Sequence, residues 1–445
     1  MKTDMTQGKP VKVLLGFTIP VFIGNVFQQF YNMVDAVVVG KFVGTKALAA
    51  VGSTGTIIFL IIGFLLGLTA GFTVLTAQKY GAGKMDEMRQ TVGNALILTA
   101  LISAVMTAVS MTGMHALLKF MHTPDDIFKD AYAYVMIICG GIFAQALYNI
   151  LASILRALGN SKVPLYFLIL SAMLNIVLDL VFIIVFKLGA SGAAWATIIS
   201  QGVSGVLCLV YIWKFVPELR MKKEDWYFRR NLAAKQIGVG IPMGLQYSIT
   251  AIGAIILQFY VNALGEDAIA GFTSGYKIKN LILCPLNALG TALSSFVGQN
   301  FGAKRFDRIS EGFKRTLEIG LIYSVITMIV CFFTGRYMAL IFVDAADTVV
   351  VGYTVKFIRY ISVFNAELAL LFTARYSVQG MGYGKYSILS GLAEMAGRAA
   401  VAVLLIPHFG FDAVCWNEGL TFLAGIAVIL PIYIKLFCHL RKSMI

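Results

Sequence analysis

A transmembrane helix needs about 20 consecutive, mostly apolar residues, and this 445-residue chain supplies such stretches from one end to the other. About twelve fit that template. Their limits are 13–40, 50–78, 91–118, 131–155, 164–186, 192–215, 236–263, 268–298, 316–340, 349–378, 386–406 and 412–438. In hydrocarbon each backbone N–H and C=O must be satisfied inside its own segment, so stretches of this length become helices. Only 13% of the residues are charged, against about 25% in soluble domains. The fold class expected is therefore an all-α polytopic membrane protein.

The first apolar run follows the polar segment MKTDMTQGKP and meets no small-residue cleavage site, so it reads as a retained span rather than a removable signal. The longest polar stretch, 217–235, carries Arg220, Lys222, Lys223, Arg229, Arg230 and Lys235. It reads as an amphipathic linker between an N-terminal bundle, 1–216, and a C-terminal bundle, 236–445. Roughly 25 Lys and Arg fall in the termini and even-numbered loops and roughly 8 near the odd-numbered ones, which places both termini in the cytoplasm by the positive-inside rule. The net charge of +14 is thus a topology signal, and no nucleic-acid partner is expected.

The chain also repeats itself. Ala77-Gln78-Lys79-Tyr80-Gly81-Ala82 with Asp86 recurs as Gly298-Gln299-Asn300-Phe301-Gly302-Ala303 with Asp307, at an offset of 221. Val43-Gly44 with Ala49 recurs as Leu264-Gly265 with Ala270, and Trp195 as Trp416; Pro20 matches Pro242 one position out of step. The offset covers an even number of spans, so the halves share one orientation and form parallel repeats of six helices related by an axis along the membrane normal. That is a transporter architecture.

Several segments carry a family resemblance. They are Pro20–Asp35 (PVFIGNVFQQFYNMVD), the following VGKFVGTKALAAVG, both (G/A)Q-x-x-GA loops, Arg156-Ala-Leu-Gly-Asn-Ser-Lys-Val-Pro164, Asn175-Ile-Val-Leu-Asp179, and Pro285–Arg308 (PLNALGTALSSFVGQNFGAKRFDR). Together they resemble the multidrug and toxin extrusion (MATE) family over nearly the whole chain. The resemblance implies two six-helix bundles in the cell membrane, alternating access, and export of organic, often cationic, drug-like compounds against inward Na⁺ or H⁺. It implies no cofactor beyond the coupling ion, and a monomer is expected.

An ionised Asp at the centre of a membrane helix costs about 2.5 to 3.5 kcal/mol, so an intramembrane acid marks a functional site. The first half has two, Asp35 and Asp179. Asn175 lies one turn before Asp179 on the same helical face, and Thr197 sits at similar depth on the next helix. Hard cations such as Na⁺ take several oxygen ligands, and buried paired carboxyls equally suit a proton. In the family the helix 1 aspartate and an Asn-x-x-x-Asp in helix 5 form the cation site. Asp35, Asn175 and Asp179 match that motif, and Thr197 occupies the matching position in helix 6. Asn175 and Thr197 could also simply bond within or between helices. Pro20 can localise a bend in helix 1, and the family resemblance links such bending to gating.

Gln28, Gln29, Tyr31, Asn32, Gln145, Tyr148 and Asn149 are candidates for the substrate cavity, with Met and Phe side chains as deformable apolar surface. The second half does not duplicate the acids: Ile256 or Leu257 stands opposite Asp35, Glu394 opposite Asn175 and Arg398 opposite Asp179. Lys277, Lys279, Glu367, Glu394 and Arg398 are expected to form a polar network there, as helix-to-helix ion pairs or in a substrate or gating role.

Other functions fit less well. Gly189-Ala190-Ser191-Gly192 matches a short intramembrane serine-protease motif, but it opens a helix, where a serine is an ordinary cap. The histidines (His115, His122, His408, His439) are scattered, and the six cysteines sit singly, which argues against metal or redox chemistry. A lipid or lipid-linked glycan flippase is the nearer alternative. Its cavity should be cationic to hold phosphates, whereas the first-half site is acidic.

Overall fold

The computed structural model describes residues 3–121 and 123–442; His122 lies outside the described residues. Among the described residues the regular elements are all helical. They are α1 Pro10–Phe42, α2 Thr45–Gly81, α3 Met85–Phe120, α4 Asp125–Gly140, α5 Ile142–Ala157, α6 Lys162–Leu180, α7 Ala190–Phe215, α8 Arg230–Asn262, α9 Glu266–Gly302, α10 Phe306–Ala339, α11 Thr348–Gly380, α12 Lys385–Leu404, the short α13 Ile406–Phe409, and α14 Phe411–Lys442. Among the described residues eleven helices are long and apolar enough to cross a membrane, and α4 with α5, bent by 46°, makes up to a twelfth when the pair is taken as one span. The bend falls at Gly140-Gly141. A Cβ on Gly141 would stand 2.3 Å from Ile198, so α7 approaches the break too closely for any side chain.

The repeat is visible in the backbone. Helices α2 and α9 have 37 residues each and start 221 positions apart. Each is entered through a glycine at positive φ, Gly44 at 116° and Gly265 at 96°, a conformation that strains residues with a Cβ. Each ends alike, with the Ala82 N–H donating to Gln78 O and the Ala303 N–H to Gln299 O.

Two compact units form. One comprises residues 3–4 and Ile19–Gly244; the other joins Met5–Thr18 to residues 245–442. These units exchange helix ends relative to the sequence halves 1–216 and 236–445. The division of α1 falls two residues from Pro20 and that of α8 two residues from Pro242, where proline has already removed a backbone hydrogen bond.

The physical reasons for the exchange are specific. In the first unit, Gln236 is fully buried. Its Nε2 donates to Phe72 O (3.2 Å) and Thr91 O (2.8 Å), and its Oε1 accepts from Asn94 Nδ2 (3.2 Å). The linker 217–235 folds onto the same unit: Asp225, 4% exposed, caps the Lys222 N–H and pairs with Arg89 at 3.5 Å. In the second unit, Arg308 donates to the carbonyls of Met5, Gln7 and Gly8 at 3.1, 3.1 and 2.8 Å. Its Nε donates to Asn300 Oδ1 at 3.0 Å. Gln299 and Asn300 of the repeated motif complete that anchor, receiving the Met5 N–H at 3.2 Å and donating to Met5 O at 2.9 Å.

Candidate cation and substrate site

In the first unit α1 brings Asp35 beside Asp179 of α6, close enough for the two carboxyls to act on each other directly. Asp179 is 0% exposed and Asn175, one turn before it, 2%. Neither oxygen of Asp179, neither end of the Asn175 amide, nor Oδ1 of Asp35 has a hydrogen-bond partner. Buried polar atoms are nearly always satisfied, so this cluster of orphans stands out. Two carboxylates this close repel unless a proton or a cation is placed between them. A donor set of carboxylate and amide oxygens fits a hard cation.

The local fold explains the isolation of the site. Beyond Asp179 the chain loosens into a π-helical turn, Val181–Val185, a distortion common at functional sites. Val38 and Val39 of α1, Ile183 of that turn, and Ala190 and Ala193 of α7 pack into an apolar cluster with Val34, Val51 and Tyr134. Val34 precedes Asp35, and Val38, Val39 and Ile183 lie one turn beyond Asp35 and Asp179, so apolar side chains flank the two carboxyls along their helices.

The remaining candidates fall into place individually. Gln28 and Gln201 stand next to the Tyr31 hydroxyl, and Tyr31 and Tyr134 lie in the field of Asp35. The Thr197 hydroxyl donates to Ala193 O of its own helix (3.0 Å), which leaves its oxygen free to accept. Tyr148 donates to Pro164 O (3.1 Å) and Asn149 to Gln145 O (2.8 Å), so both spend their donors on neighbouring backbone. The buried Gln145 Nε2 has no partner. Gln28 and Gln29 are half-buried and Asn32 is exposed. Pro20 is buried within an unbroken α1. Sequence reading missed Tyr134 and Gln201; the latter is one turn after Thr197 on the same face, a spacing that could have flagged it.

The second unit is built differently. Lys279 pairs with Glu418 at 2.6 Å, and Arg398 meets the other Glu418 oxygen at 3.3 Å. Arg375 pairs with Glu394, and Ser390 also donates to Glu394. Three of the five expected network members are therefore engaged, but through Glu418 and Arg375, which the sequence did not single out. Lys277 is exposed and lies over the Phe342 ring, and Glu367 keeps a buried Oε2 without a partner. The described residues hold no cluster of three or more His, Cys, Asp or Glu side chains able to bind a metal.

A polytopic helical membrane protein built from two repeated units, one with an acidic buried site, is the class that these features define. The MatE family model matches residues 20–181 and again 242–404, the internal repeat seen from outside the chain. The chain belongs to this family of multidrug and toxin extrusion transporters and is not an enzyme. It is 30% identical over 381 residues to a probable multidrug resistance protein, YpnP, of Bacillus subtilis, covering 85% of this chain and 84% of that one. It is 23% identical over 430 residues to the multidrug export protein MepA of Staphylococcus aureus, covering 94% and 93%. In fold it matches an outward-facing multidrug resistance transporter of the same family with a TM-score of 0.91, at 23% identity and 99% coverage of both chains.

Proposed function

We propose that this protein is a secondary active exporter of organic, often cationic, drug-like compounds, driven by antiport of Na⁺ or H⁺ through alternating access. The observation that carries the reading is the half-buried carboxyl of Asp35 beside the fully buried carboxyl of Asp179, with the orphaned Asn175 amide one turn away. Asp35 and Asp179 supply the charge, Asn175 a neutral oxygen, and Thr197 a hydroxyl acceptor. Binding of the coupling ion shifts the transport cycle through its differential affinity for the inward and outward states. Pro20 gives α1 a place to bend as the site fills and empties. The names of the relatives above support drug-like substrates, held by Gln28, Gln29, Tyr31, Asn32 and Gln145 with Tyr148 and Asn149 behind them.

The protein acts as a monomer in the cell membrane with both termini in the cytoplasm, and it needs no cofactor. The flippase alternative is not favoured, since the family and its named relatives concern multidrug resistance. Everted vesicles containing the protein, given ethidium and separately imposed pH and Na⁺ gradients, test the reading. Gradient-dependent ethidium uptake with one of the two ions is expected. Uptake that is equal with and without either gradient would overturn it.

A further inference from the structure

The second unit holds a cavity of about 660 Å³ between α10 and the first half of α11. Its walls include Phe332, Val351, Val355 and Val363, and three cations enter it: Arg336, Lys356 and Arg359. Beside it, Phe333 and Tyr337 of α10 and Ile341 just past its end are 81%, 72% and 72% exposed. Apolar surface that bare, on a membrane-spanning helix, is lipid-facing, so the groove sits beside lipid.

The three cations are stepped in depth. Helix α11 has 33 residues, or roughly 50 Å at about 1.5 Å per residue. Centred on a hydrocarbon layer of about 30 Å, it leaves about 10 Å outside at each end. Arg359 is then roughly 16 Å from Thr348 along the axis, about 6 Å inside the hydrocarbon. Lys356 falls near the boundary. Arg336, three residues before the end of α10, falls at headgroup level.

Only one of the three is neutralised. Lys356 pairs with Asp412. Arg359 donates to Phe332 O at 3.0 Å and stacks on that residue's ring at 5.4 Å, which fixes its plane but supplies no counter-charge. A guanidinium has five N–H donors, so most remain for a ligand. Arg336 has no ion-pair partner among the described residues, and the exposed Asp344 and Asp347 of the α10–α11 connection pair with neither arginine. A charged side chain inside hydrocarbon needs a partner or a route to the interface. Two guanidiniums bracketing the headgroup boundary, over an apolar wall, match the phosphate and upper acyl chain of a phospholipid.

We propose that this groove is a binding site for an anionic phospholipid, its phosphate held between Arg336 and Arg359 and its acyl chain lying on Phe332 and Val363. The two unneutralised positive charges select a headgroup with net negative charge over a zwitterionic one, whose amine they repel. The full-length protein reconstituted in phosphatidylethanolamine with a minority of phosphatidylglycerol, extracted, and weighed by native mass spectrometry tests this. Wild type should retain phosphatidylglycerol about tenfold above its share of the mixture. Arg336→Gln with Arg359→Gln should bring retention down to that share, while Arg359→Lys, which keeps the charge, should hold most of the enrichment. Should the double variant fold poorly, Arg336→Gln alone, at an exposed helix end, should cut the enrichment several-fold with helicity unchanged. The proposal is overturned if wild type shows no enrichment, if the arginine variants retain as much as wild type, or if millimolar inorganic phosphate strips the lipid.

Discussion

Glu418 offers the sharpest test of how the second unit holds its buried charges. The side chain is 1% exposed and lies between Lys279 at 2.6 Å and Arg398 at 3.3 Å, themselves 5% and 6% exposed. At an effective dielectric of about 20 these separations correspond to roughly 6 and 5 kcal/mol of attraction. Desolvation, at several kcal/mol per ion, offsets most of that. The intact triad is thus close to neutral for stability, whereas removing its single anion is not. Glu418→Gln leaves two buried cations facing each other. Breaking a buried pair typically costs about 3 to 5 kcal/mol. For a unit of about 200 residues that lowers the melting temperature by roughly 10 °C. Thermal unfolding of the purified protein in detergent reads this directly. Replacing all three charges together, with Met at 279 and 398 and Leu at 418, should recover most of the loss, since an apolar triad avoids the desolvation cost. If Glu418→Gln melts within about 2 °C of wild type, the triad is not the buried charge balance inferred for it.

Other positions give quicker checks. Gln236→Ala removes the bonds to Phe72, Thr91 and Asn94 and should destabilise the first unit by about 2 to 4 kcal/mol, read as a fall in melting temperature. Arg308→Lys cannot reproduce the fork that holds the carbonyls of Met5, Gln7 and Gly8; hydrogen exchange at residues 5–9 should speed up at least tenfold while the helix cores stay protected. Cys438 is the exposed cysteine among the described residues, the other five being buried. A membrane-impermeant maleimide should therefore label everted vesicles and not intact cells, and the reverse would overturn the proposed orientation.

The spans were legible because hydrocarbon leaves the chain little choice: about 20 apolar residues in a row become a helix. The repeat was legible because Gly44 and Gly265 both enter their helices at positive φ, which restricts the residue type. The aspartates announced themselves by the cost of putting a charge in lipid. The break between α4 and α5 was written in Gly140-Gly141, yet the surrounding apolar run disguised it as one straight span. The partners of Lys279, Arg398 and Glu394 were hidden for a different reason. Glu418 is 139 positions from Lys279, and no local pattern encodes a pairing of that range. The exchanged ends of α1 and α8 were hidden likewise, since they rest on Gln236 and Arg308 reaching residues 142 to 303 positions away.

The most direct test of coupling is efflux by an Asp179→Asn protein. The substitution keeps the shape and membrane insertion of a fully buried side chain while removing half of the facing carboxyl pair. Ethidium uptake into everted vesicles, under whichever gradient drives the wild type, should fall to the level of vesicles lacking the protein, with ethidium binding to the purified variant retained. Asp35→Asn should behave alike. A well-expressed Asp179→Asn protein that transports at the wild-type rate would contradict the assignment and move the search for the coupling ion to Glu367, whose buried oxygen also lacks a partner.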